Sequence, residues 1–190
     1  MRLHNAPIKY VKVSATKGFT LIETLIAVAV LMIAIAGPLS ISSKALTTSL
    51  YARDQTTASY LAQEEMELIK NYKDNNIMNS PPWTNGLDSC IGTTGSYCDL
   101  SPSNVKTICP SSGTSGCPLK LSDNGTYTSD GTGGPTIFSR NFKLFKIQNR
   151  YTAPDNDPNE YQVIITVFWN SGSVVNTVVL RSEITSAAEQ

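Results

Sequence analysis

The sequence predicts an α+β fold: one long N-terminal helix, apolar and then amphipathic, packed on a small C-terminal antiparallel β-sheet. Three observations carry this. Residues 19–41 form an apolar run with one charge, Glu23. No proline or glycine interrupts residues 39–80. Residues 161–184 hold two β-rich runs joined by a turn, the pattern of a half-buried hairpin.

The helix is preceded by a basic segment. Residues 1–18 contain Arg2, Lys9, Lys12 and Lys17 and no acidic residue. The whole chain balances 15 basic against 15 acidic residues, so no global positive field points to nucleic acid. Without residues 1–18 the remainder has a net charge near −4. His4, the only histidine, lies in the same segment. A chain lacking it has no Ser-His-Asp or Cys-His catalysis and no His-ligated metal. Neither an enzyme activity nor a cofactor is expected.

About 20 apolar residues cross a hydrocarbon core, so residues 19–41 are long enough to span a membrane. The basic flank places residues 1–18 on the cytoplasmic side and the C-terminal bulk outside. An ordinary secretory signal has a shorter apolar core followed by a small-residue cleavage site, which Ala34, Ala36 and Gly37 could supply here. A plain single-span anchor is the other simple reading. Glu23 argues against it, because a carboxylate in a span costs about 2.5–3.5 kcal/mol at the centre and usually has a partner.

Lys17-Gly18-Phe19-Thr20-Leu21-Ile22-Glu23, followed by the apolar run, resembles the processing motif of type IV prepilins and type II secretion pseudopilins. The resemblance implies cleavage by a prepilin peptidase between Gly18 and Phe19, then N-methylation of Phe19. Gly18 suits such a cut, since the absent side chain lets a protease approach the backbone. The resemblance also implies that Glu23 pairs with the N-terminal amine of a neighbouring subunit during filament assembly. An ion pair there offsets the isolated carboxylate and sets register between helices. Other pilin or pseudopilin subunits and an inner-membrane assembly platform are the implied partners. The implied location is the cytoplasmic (inner) membrane as a single span, then a pilus or secretion filament. Gly37-Pro38 falls two residues earlier than the family's usual helix-breaking proline. Pro38 lacks an amide donor and clashes with the preceding turn, predicting a kink or a melted stretch over residues 34–39.

Beyond the span the helix is expected to continue, giving 19–74 in all, with 42–74 amphipathic. Leu46, Leu50, Ala58, Leu61, Met66, Leu68, Ile69 and Tyr72 recur near helical spacing. The acidic run over residues 64–67 reads as a solvated face. The second half of the helix also resembles that of minor pilins over residues 60–69.

Residues 75–136 read as a variable loop rich in Asn, Ser, Thr, Gly and Pro. Its length is unusual for unstructured chain in a compact domain, and disulfides would make it tolerable. Cys90, Cys98, Cys109 and Cys117 all lie in it. An even set of cysteines in such a segment fits an oxidising compartment. Two local pairs, Cys90–Cys98 and Cys109–Cys117, close the shortest loops. Zinc ligation by all four would need closer spacing within each pair.

Residues 137–190 form the sheet region. A mixed strand is expected over 137–149. A clear strand follows over 161–169, with Tyr161, Val163, Ile165, Val167 and Trp169 on one face. After a turn at 170–173 the chain returns over 174–184. This hairpin too resembles that of minor pilins and minor pseudopilins. Asp155, Asp157 and Asn159 alternate like the start of a calcium loop, but the glycine and bidentate glutamate of such a loop are absent. The chain is therefore expected to be a structural minor subunit. The alternative is a filament-tip or surface adhesin that binds through residues 75–136.

Overall fold

The computed structural model describes residues 18–79, 82–110, 115–147 and 160–185. Asp155, Asp157 and Asn159 lie outside the described residues, as does nearly all of the basic leader. The chain divides into two compact units, residues 1–47 and 48–190.

Helix α1 spans Leu21–Met78 and passes through Pro38 without a break. The melted stretch expected over residues 34–39 is therefore absent. In the first unit, every described residue of α1 is exposed.

In the second unit, one stripe of α1 is buried: Ala58, Leu61, Ala62, Glu65, Met66, Ile69 and Lys73. Steps of three and four residues put these side chains on one helical face. Leu46 and Leu50, at expected apolar positions, are exposed, while Leu68 and Tyr72 pack at the edge of the core.

The stripe faces a seven-stranded antiparallel sheet. Its strands are β1 (Cys98–Leu100), β2 (Lys106–Ile108), β3 (Cys117–Leu121), β4 (Tyr127–Thr128), β5 (Gly134–Lys146), β6 (Glu160–Ser171) and β7 (Val174–Thr185). The meander β5–β6–β7 follows the expected strands. Val163, Ile165, Val167 and Trp169 point into the core from β6, as the alternation requires. Opposite them on β5 stand Leu144, Phe142, Arg140 and Phe138. Gly172, at φ 63°, supplies the left-handed conformation that the two-residue β6–β7 turn needs.

Strand β5 organises the rest. One edge pairs with β6 over Phe138–Lys146. The other edge is shared, with β3 against the first part of β5 and β1 meeting Phe142. Residues 75–136 are therefore no loose loop. They hold four short strands and a 3₁₀ turn, Asp88–Cys90, and two of the strands extend the main sheet. Where the β3 register shifts between Pro118 and Lys120, the Thr136 hydroxyl donates to the Leu119 carbonyl at 2.7 Å.

Disulfides join Cys90 to Cys98 and Cys109 to Cys117. The first ties the 3₁₀ turn to β1, and the second ties the end of β2 to β3. All four cysteines are buried and paired, leaving no free thiol to ligate a metal.

Candidate functional site

The residues singled out at the N-terminus sit where α1 begins. Gly18, Phe19 and Thr20 are extended or irregular, and the helix starts at Leu21. The Thr20 carbonyl accepts the amides of Glu23 and Thr24, closing the first turn. A side chain on Gly18 would meet nothing within 4 Å. The fold itself thus places no demand for glycine at this position, and any such demand comes from what acts on the chain. Phe19 is 76% exposed. Glu23 lies in the first helical turn, where a carboxylate faces the positive end of the helix dipole.

Thirteen large apolar side chains between Phe19 and Ile41 are each half or more exposed. They surround the helix rather than forming one stripe. Burying them is worth on the order of 20 kcal/mol at about 1.5–3 kcal/mol per full side chain. The cost of one carboxylate near the end of a span, at most about 3 kcal/mol, is small beside that. This segment is long and apolar enough to cross a membrane. An all-round apolar helix is covered either by lipid or by other helices.

A second cluster, in the other unit, escaped sequence reasoning. Arg140 is fully buried in β5. Its Nε donates to Asp99 Oδ1 at 2.7 Å, and Nη2 lies 2.9 Å from Glu65 Oε2. Nη1 reaches Glu64 Oε2 at 3.5 Å and donates to the Leu61 carbonyl at 3.1 Å. Nη2 also donates to the Leu100 carbonyl, while Glu65 Oε1 accepts the Leu100 amide at 3.0 Å. Glu65 and Asp99 are both fully buried.

The expectation of a solvated acidic run is thus corrected. Glu65 is a core residue and Glu64 is partly buried, while Glu67 remains exposed. Position 65 continues the buried stripe of 58, 61, 62, 66 and 69, and that periodicity is the signal that would have found it. Burial pushes the Glu65 carboxyl well above its ordinary range; Arg140 opposes this, and the Asp99 charge adds to it. Glu64 is raised too, again chiefly by burial and against the pull of Arg140. The neighbouring carboxylates hold Arg140 firmly protonated despite its burial. Glu65, Asp99 and Arg140 have no solvent access, and only Glu64 reaches the surface. The cluster joins α1, β1 and β5.

Residues 14–37 match the family described as the prokaryotic N-terminal methylation motif. No curated protein and no solved structure matches the chain. The match covers the Gly18–Phe19 junction, Glu23 and the apolar run through Gly37, and it identifies this N-terminus as type IV prepilin-like.

Proposed function

We propose that the chain is a structural minor subunit of a type IV pilus or a type II secretion-type filament. The observation that carries this reading is the methylation motif at residues 14–37, set on a helix whose apolar surface is exposed on every side. A prepilin peptidase cuts between Gly18 and Phe19, and Phe19 is methylated. Before assembly, residues 19–41 anchor the chain as a single span, with the second unit outside. The same residues then enter the filament core among other pilin-like subunits, delivered by an inner-membrane assembly platform. Glu23 pairs with a neighbour's N-terminal amine. In lipid that carboxylate lacks its partner, which favours transfer into the filament. Pro38, beside Gly37, gives the helix a bend as it leaves the span.

Mass spectrometry of the mature N-terminal peptide tests the processing step. The expected species is N-methylated Phe19. An intact Met1 terminus in cells with active peptidase overturns the reading. Glu23→Ala is expected to be cleaved normally yet to fall at least several-fold in filament incorporation, measured on sheared filaments. Wild-type incorporation removes Glu23 from this role.

One feature favours the second reading, a filament-tip or surface binding module. Residues 93–97 and 108–109 line an open, polar cavity of about 330 Å³ with Lys143.

A further inference from the structure

We propose that this cavity is a binding site for a small organic oxyanion, one carboxylate or phosphate group on a polar body. Its wall comprises Thr93, Thr94, Gly95, Ser96, Tyr97, Ile108, Cys109 and Lys143.

The charge comes from Lys143. The side chain projects from β5 and the residue is only 7% exposed. Among the described residues its Nζ donates one hydrogen bond, to the Thr93 carbonyl at 2.8 Å. It lies 4.7 Å from the centre of the Tyr97 ring and 5.9 Å from that of Phe145. An ammonium has three donors, so donor capacity remains beyond that one bond. Among the described residues no carboxylate forms an ion pair with it. A carbonyl and two ring faces lessen the cost of burying this cation but do not neutralise it. An anion would complete this site, and the cavity opens beside Lys143. Hydroxyls of Thr93, Thr94 and Ser96 add donors and acceptors for a polar ligand body.

The wall is built in place. Residues 91–97 are the loop closed by the Cys90–Cys98 disulfide. Cys109, of the second disulfide, also lines the cavity. Three backbone bonds pin the loop: Gly92 N–H to Leu144 O, Ser96 N–H to Ser89 O, and Cys109 N–H to Tyr97 O. A side chain on Gly95 would run into the Ile91 backbone, so the loop depends on glycine there. A wall held this way keeps its donors aimed without the ligand, which lowers the entropic cost of binding.

The test uses the full mature chain in detergent, with ¹³C-labelled lysine, observed by NMR. Inorganic phosphate, acetate, glucuronate and glucose 6-phosphate are titrated against chloride at equal ionic strength, with glucose as the neutral control. The expected result is a saturable shift of the Lys143 ε-carbon resonance with at least one oxyanion and none with glucose. A response confined to phosphate and glucose 6-phosphate assigns a phosphate-bearing ligand; one confined to acetate and glucuronate assigns a carboxylate. Reduction of both disulfides should abolish the response. No saturable shift beyond the chloride control overturns the site. Retained binding in Lys143→Met, followed on the Tyr97 ring signals, overturns it as well. The wild-type titration stands even if that variant fails to fold. The outcome is independent of the N-terminal reading, which rests on the peptide mass.

Discussion

Arg140 is one buried cation facing two fully buried carboxyl groups and a third that is partly exposed. Removing it strands that charge, so Arg140→Ala should cost about 3–5 kcal/mol, read as a fall in denaturant midpoint at neutral pH. Glu65 Oε2 faces the Arg140 guanidinium, but a contact between the Glu65 and Asp99 carboxyls becomes a hydrogen bond only when one of them holds a proton. The folded chain therefore binds a proton at Glu65 that the unfolded chain has released above its ordinary value of 4.5. Stability from this group is full below about 4.5 and falls as pH rises through the higher folded value. Glu64 acts in the same direction. Urea titrations from mildly acid to alkaline pH should show that decline, and Glu65→Gln should flatten it. Glu23 can be singled out from sequence because its motif is local, seven consecutive residues. Sequence alone could not single out the Arg140 cluster, whose members are brought together from residues 64–65, 99 and 140.

At the scale of elements, the small side chains of Ala58 and Ala62 are fully or almost fully buried where α1 packs on the core. Ala62→Leu should overpack this contact by about 1–3 kcal/mol, measurable by thermal denaturation. The first part of the helix was legible from its length and apolarity, and its second part and the β6–β7 hairpin because each keeps one period over many residues, 3.6 or 2. Strands β1 to β4 were not, because they are two to five residues long and only β1 and β3 reach a distant partner on β5, with β2 and β4 paired to them in turn. Each disulfide closes a loop between cysteines eight residues apart. The chain-entropy relation gives about 2–3 kcal/mol for such a loop. Replacing Cys90 and Cys98 together by Ser should lower stability by roughly that amount in oxidising buffer.

For the whole molecule, the two units have opposite solvent requirements. The first exposes apolar side chains throughout its described helix, whereas the second buries its own core. A chain beginning at residue 48 should thus stay soluble and monomeric without detergent, as size-exclusion chromatography would show, while the mature chain should need detergent. The sheet also changes how residues 75–136 can be tested. Excision of residues 75–136 as though they were a free loop would not leave a folded subunit. It would remove Asp99, Leu100 and the strand partners on one edge of β5, so loss of filament incorporation after excision would report unfolding. Point changes such as Lys143→Met separate binding from architecture.

The shared edge of β5 has a consequence for the order of folding during biosynthesis. A ribosome delivers Glu65 first, then Asp99, and Arg140 only after both disulfide-bonded loops have been made. Until β5 arrives, the carboxylates have no buried cation to converge on, and β1 and β3 have no central strand to join. A nascent chain ending before residue 134 should remain protease-sensitive, and resistance should appear abruptly once β5 and β6 have emerged. The second unit would then fold late and all at once, leaving the cysteine loops open to oxidation and exchange until that point.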